Sequence, residues 1–414
     1  MPVARPRVLF VAPMLPARGR NGLAMRLGVF LDALATFADV DLAVVPVAGG
    51  PVEPTPFLAS FGARLRIHHF PPGTDTHFAL LARLTDPQAR LDAFRHYGKP
   101  SFARGLSASV IDAIAQLASR HRYDLVHIAR AYMIPAVAGL ERGTPCTLDL
   151  DEDDLASFAS RAAAARRDGD APRAAWLEQE GRACDALLAA ELPRFCLVFA
   201  TSRRDGAALM RRHRDATIET VPNAIDIPRR RARSDDGRTA LFVGAFGYAP
   251  NVDALLWFAR CAMPRLEARI GRVHLLVAGA DPPAEVRALG RRANIRVLGA
   301  VADLAPLYRG ASIAVAPMRG GGGTRIKILE AASFAVPVVA DVQSAAPLFG
   351  RTRPWGWSAA SGAEFADVCA QALRRPRERE RRGAFGYNAV ARHHARPAVI
   401  ARLARMLRAV AAQA

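Results

Sequence analysis

Residues 317–340 read PMRGGGGTRIKILEAASFAVPVVA, in which Gly320 to Gly323 are followed by Thr324, Arg325, Lys327 and Glu330. The strand-like SIAVAPM ends just before the glycines, and a helical pattern begins near Thr324. A helix start presents unsatisfied backbone N–H groups and the positive end of the helix dipole, and glycine lets a ligand approach the backbone closely. An anionic oxygen, above all a phosphate, suits such a place. Arg325 and Lys327 are cations in the first turn, where the dipole disfavours them unless an anion is present. The alternative is a turn, with Lys327 and Glu330 pairing at i, i+3 on a solvated face. Two phosphate motifs are excluded. GxxxxGK[ST] fails because Ile326 precedes Lys327 and Ile328 follows it, and GxGxxG fails because Arg325 holds the third glycine position.

Other residues with chemical potential lie in the first half. His127 sits within the strand-like DLVHIAR, where it either orients a ligand or is a buried histidine satisfied by its neighbours. The run DLDEDD, Asp149 to Asp154, reads as a solvated acidic loop or a hydroxyl-binding site. It lacks nearby ligands at octahedral spacing, which argues against a metal. His68, His69, His393 and His394 lack partnered carboxylates or metal spacing and are expected at the surface.

A chain of 414 residues that is 51% hydrophobic and 23% charged is globular and long enough for two domains. The strand-like RVLFVAP, VDLAVVPV, YDLVHIA, CTLDL, CLVFAT and IETVP alternate with alanine-rich helical stretches, predicting a doubly wound α/β domain over residues 1–228. DIPRRRARSDDGR, residues 226–238, reads as a linker. The alternation restarts with TALFVGA, the helical PNVDALLWFARCAMPRLEARI, VHLLVAGA, IRVLGA, SIAVAPM and VPVVAD, predicting a second such domain over 229–385. Two such units predict a cleft for a ligand. Residues 386–414 are expected to form a helix packed across the domains, rather than an amphipathic helix on a membrane surface.

The formal net charge is +19, with +2 before Arg229 and +17 from Arg229 onward. Lys99 and Lys327 are the only lysines among 57 basic residues, and no basic–aromatic platform or zinc-finger spacing accompanies the arginines, so no nucleic-acid partner is expected. Five scattered cysteines without CxxC spacing fit reduced thiols and a cytoplasmic protein. Pro13 and Pro16 interrupt the apolar N-terminal stretch, so a cleaved signal is not expected.

From Thr239 to Asp341 the sequence resembles family 4 glycosyltransferases of the GT-B fold, through ALFVGAFGYAPNVDALLWF, VHLLVAGA and IRVLGAVADLAPLYRGASIAVAPMRGGGGTRIKILEAASFAVPVVA. Upstream FATSRRDGAAL and ETVPNAIDI extend the resemblance over nearly the whole chain. It implies two Rossmann-like domains, with a nucleotide-sugar donor held mainly by the second and an acceptor by the first. Glu330 matches the second glutamate of the family's E-x7-E signature, which accepts from the donor ribose hydroxyls. Arg325 and Lys327 lie where relatives place basic residues beside the diphosphate, and Gly323 and Thr324 belong to the same donor loop. Gly22 matches the glycine-containing first loop of the first domain, and Gly244 the corresponding loop of the second.

Three departures accompany the match. Gly322 replaces the first glutamate, AFGYAPN replaces the frequent Arg-x5-Lys pair, and Ala129 stands where His-x-His would place its second histidine after His127. The resemblance implies transfer from a UDP- or GDP-sugar, with retention of configuration, to a glycan, lipid-linked or small-molecule acceptor. His127, Arg325 and Lys327 are the candidate catalytic residues, and Asp151 and Asp153 the candidate acceptor ligands. No metal or other cofactor is expected. A cytoplasmic enzyme of polysaccharide or glycoconjugate biosynthesis follows, with a peripheral contact at the inner membrane face as one option. The competing expectation is a nucleotide-sugar-binding protein that does not transfer.

Overall fold

The computed structural model describes residues 5–19, 21–50, 53–97, 99–140, 143–318, 326–346, 348–349 and 355–413. The chain divides into two compact units, Met1–Pro222 with Pro397–Ala414, and Asn223–Arg396.

The first unit is built on seven parallel strands: β1 (Arg7–Ala12), β2 (Asp39–Val44), β3 (Leu65–His69), β4 (Leu125–Ala129), β5 (Cys146–Asp151), β6 (Leu197–Ala200) and β7 (Ile218–Thr220), in the order β3-β2-β1-β4-β5-β6-β7. Val8 to Ala12 and Leu125 to Ala129 are buried without alternation, as central strands covered on both faces must be. The helix α1 (Gly22–Ala35) starts where Asn21 Oδ1 accepts from Ala24 N at 2.8 Å, and it buries Leu27, Phe30, Leu31 and Leu34. Two further helices follow β5, α2 (Asp154–Arg167) and α3 (Ala171–Glu191). The sequence reading missed β3, an edge strand whose RIHH lacks an apolar run. Its His68 lies 3.0 Å from the buried Asp41, so that histidine does have a carboxylate partner.

The second unit has six parallel strands: β8 (Thr239–Val243), β9 (His274–Ala278), β10 (Ile295–Gly299), β11 (Ile313–Ala316), β12 (Val338–Asp341) and β13 (Gly356–Ala359), in the order β10-β9-β8-β11-β12-β13. The helix α4 (Ala249–Trp257) was expected to run on to Ile270. Instead a π-helical turn, Phe258–Ala262, separates it from a helix over Met263–Ile270, next to Pro264, which has no N–H for the ladder. The helices α5 (Ile326–Ser333) and α6 (Pro376–His393) complete the parts needed here.

Both expected boundaries move. The supposed linker is tied into the second unit, because its charges have partners there. Arg233 Nη1 donates to Ala335 O at 3.0 Å, Arg379 Nη2 to Asp235 at 2.9 Å, and Thr239 N to Asp236 at 2.8 Å. The division therefore falls at Pro222/Asn223 rather than 228/229. Residue 386 lies inside α6, so 386–414 is not one helix. The chain breaks at His394–Ala395, where Ile225 N donates to His394 O and Arg396 N to Ile225 O, and then α7 (Arg396–Ala411) begins. Most of α7 belongs to the first unit, where Arg408 lies 5.3 Å from the ring centre of Phe37. No helix among the described residues is long and apolar enough to cross a membrane.

Candidate active site

In doubly wound sheets, ligands bind beyond the strand carboxyl ends where the strand order reverses. In the second unit that point lies between β8 and β11. The loop after β8 begins at Gly244, whose N–H donates to Ala278 O at 3.0 Å. This corner requires two glycines. A Cβ on Gly279 would collide with the Gly244 carbonyl, and one on Gly244 would lie 2.9 Å from the Asn251 amide.

Lys327, in the first turn of α5, donates from Nζ to Asn251 Oδ1 at 2.7 Å. It lies 3.6 Å from Met318 Sδ and 4.6 Å from the centre of the Phe242 ring. One turn along α5, Glu330 accepts from the hydroxyl of the buried Tyr308 at 3.3 Å. Burial pushes the Glu330 carboxyl up to about 7, against the pull of the Tyr308 hydrogen bond and the Lys327 charge. Burial, with Glu330 beside it, also holds the Tyr308 hydroxyl firmly protonated. Tyr308 is stacked on Phe334 at 5.0 Å, and it lines one small cavity with Lys327, Leu241 and Val338. Gly22, Gly244, Lys327, Glu330, His127, Asp151 and Asp153 are all described, whereas Gly322, Gly323, Thr324 and Arg325 lie outside the described residues.

The corresponding corner of the first unit lies between β1 and β4. Gly22 opens α1 there, directly after its cap Asn21. His127 does not reach that corner's surface. It is fully buried, stacked on Phe30 at 4.4 Å and flanked by Phe10 and Phe199, and its Nδ1 is 2.9 Å from Thr147 Oγ1. Burial, and secondarily the charge of Arg26, push its imidazole down to about 3, so it is neutral. A sealed, neutral imidazole inside the sheet–α1 core does not fit the catalytic role expected of it.

The acidic run is neutralised by arginines. Arg26 grips Asp149 at 2.7 and 2.6 Å and donates to Val221 O at 3.0 Å. Arg130 pairs with Asp154 at 2.7 Å and with Asp151 and Glu152 at 3.4 Å. Asp153 caps α2 and holds Arg212 in a fork at 2.7 and 3.0 Å while 2% exposed, so its oxygens are engaged and it is corrected from acceptor ligand to cap. Asp151 remains half-open, its side chain 20% exposed, with left-handed backbone at φ 64°. Arg130, at φ 76°, is the only other such non-glycine residue in the first unit's described part, and its N–H donates to Asp149 O at 2.7 Å. Among the described residues no group of three histidine, cysteine or carboxylate side chains is placed to hold a metal.

Residues 237–375 match the family "Glycosyl transferases group 1". The match lies within the second unit, Asn223–Arg396. The chain as a whole has the GT-B fold, two Rossmann-like units, as its structural relatives show. Sucrose-phosphate synthase from Thermosynechococcus elongatus matches with a TM-score of 0.66 at 14% identity, over 99% of this chain and 100% of that one. A mutant of S. aureus TarM, in complex with UDP among other ligands, matches at 0.66 and 7% identity, over 97% and 99%. Anabaena HepE in complex with UDP and glucose matches at 0.58 and 13% identity, over 97% and 99%. A comparison with curated sequences finds no match.

Reading the sequence singled out the second unit's Lys327 and Glu330 but missed the side chains that hold them. Asn251 ends AFGYAPN, the heptapeptide at which the Arg-x5-Lys pair is absent, and that position was the available signal. Tyr308 lies in LAPLYRGA, whose helical pattern does not single it out. Arg26 and Arg130 were lost among the many arginines.

Proposed function

We propose that the protein is a retaining glycosyltransferase. It moves a sugar from a UDP- or GDP-sugar, bound by the second unit, to a glycan, lipid-linked or small-molecule acceptor bound by the first, in polysaccharide or glycoconjugate synthesis at the cytoplasmic side of a membrane. The observation that carries this reading is the ammonium of Lys327, held at the first turn of α5 one turn from Glu330. An ammonium there stabilises the charge that grows on a departing nucleoside diphosphate, and a carboxylate one turn on accepts from ribose hydroxyls. Gly244, and in the proposal Gly323, Thr324 and Arg325, supply the backbone approach and further charge. The complexes of TarM and HepE with UDP support a uridine donor.

Retention needs no protein base when the acceptor attacks from the face the diphosphate leaves. The leaving phosphate oxygen then takes the acceptor proton, and the protein supplies position and charge. The sealed His127 agrees with such a route. Lys327, Arg325 and the helix end neutralise the diphosphate in place of a metal, and Asp151 is the remaining candidate to receive an acceptor hydroxyl. Incubation with UDP- and GDP-sugars and an acceptor panel tests the proposal. Acceptor-dependent diphosphate release that persists in EDTA, with NMR showing the donor's anomeric configuration kept in the product, is the expected result. Nucleotide binding without turnover across the panel would favour a binding protein, and an inverted product would exclude the retaining route.

A further inference from the structure

Asn251 is 7% exposed, and its side chain makes two hydrogen bonds, one at each end of its amide. Its Nδ2 donates to Ala245 O at 2.7 Å, and its Oδ1 accepts from Lys327 Nζ at 2.7 Å. Each bond fixes the other. Turning the amide over would set NH2 against an ammonium and an oxygen against a carbonyl, so only one orientation satisfies both partners. Ala245 follows Gly244 in the loop after β8, and Gly244 has no room for a Cβ because this same amide lies against it. One side chain therefore ties the loop after β8 to the first turn of α5, the two backbone elements that flank the strand-order reversal.

The choice of amide has an electrostatic consequence. A neutral oxygen orients the ammonium without cancelling its charge, whereas a carboxylate would form a salt bridge with it and a cation would repel it. We propose that Asn251 is a positioning residue that orients the ammonium of Lys327 toward the diphosphate of a nucleotide ligand and holds the Gly244 loop in register with it. The inference rests on the donor reading of this site and deepens it. Asn251 acts through Lys327, so its effect belongs to the phosphates and not to the nucleoside.

Calorimetric titration of the full chain with UDP and GDP, and by competition with uridine and guanosine, separates these contributions. Asn251→Asp keeps the shape and the acceptor oxygen but adds a charge. It is expected to weaken binding of the preferred nucleoside diphosphate at least tenfold while leaving the nucleoside within twofold. Asn251→Ala, a second variant lacking the new charge, is expected to shift the diphosphate in the same direction by less. In a Lys327→Ala background, Asn251→Ala should change diphosphate affinity by less than twofold, because the two residues act as one unit. Unchanged diphosphate binding by Asn251→Asp, equal loss of diphosphate and nucleoside, or a full effect without Lys327 would each overturn the inference. Failure of the native protein to bind either diphosphate would instead remove the donor reading, and this inference with it.

Discussion

Beyond their strand ends the two units are built from opposite electrostatics. In the first unit the ends of β4 and β5 and the loops beyond them carry mutually paired charges: Arg26 with Asp149, Arg130 with Asp151, Glu152 and Asp154, and Arg212 with Asp153. Between β8 and β11 the described corner is almost apolar, with Lys327 bonded to a neutral amide over the Phe242 face and Glu330 against the buried Tyr308. A buried network of matched charges is expensive to disturb and attracts no further ion strongly. Lys327, oriented by the Asn251 amide at the first turn of α5, stands where an incoming anion would meet its charge. The same topology thus carries a rigid frame in one unit and a receptive site in the other.

Breaking the frame should have the largest effect. Arg26→Ala leaves the Asp149 carboxylate buried without its partner, which is expected to cost about 3–5 kcal/mol of stability, read from the first unfolding transition in urea. A shift below about 1 kcal/mol, the range of an exposed pair, would mean the network is not the frame described. Removing the receptive charge should leave the fold and abolish the function. Lys327→Ala is expected to lower kcat by about 100- to 1,000-fold, the range for losing one charge-stabilising donor, with the melting temperature nearly unchanged. Equal losses in activity and melting temperature would erase the contrast between the two regions.

A smaller effect comes from pH. Only the ionised Glu330 accepts from both hydroxyls of a ribose, so nucleotide affinity should rise as pH increases through about 7 and level off above it. The contribution to stability has the opposite sign. The raised carboxyl binds its proton more tightly in the folded protein than in the unfolded chain, so this group makes stability fall as pH rises from about 4.5 to about 7, with no further change above. Glu330→Gln should flatten both profiles. A native affinity profile without a step near neutrality would show that Glu330 does not contact the nucleotide. The smallest effect is expected from His127→Phe, which should leave kcat within about twofold and alter stability by about 1 kcal/mol. A hundredfold loss of kcat in a protein of native stability would return His127 to the catalytic list.

How far the sequence could be read depended on the range of the interactions. Continuous apolar runs such as VLFVA identify central parallel strands without outside help, because burial on both faces leaves a local mark. The edge strand Leu65–His69, half-exposed and bearing two histidines, leaves no such mark and was missed. Lys327 stood out as one of two lysines, and Glu330 through the spacing of a known signature. His127 and Asp153 could not be placed from sequence because a residue's type does not say how deeply it is buried or which groups surround it. Phe30, Thr147 and Arg212, which settle that, lie 97, 20 and 59 positions away from the residues they hold.

By itself the sequence determined the two α/β units, the glycine-rich approach to α5 and the cation within it, since each is written in a contiguous pattern of hydrophobicity, chain flexibility or charge. Only the tertiary structure decided which charges are quenched and which are presented. Hydrogen bonds and ion pairs between distant segments control that choice, and Asn251, 76 positions from Lys327, joins the Gly244 loop to α5 through contacts that no local pattern encodes.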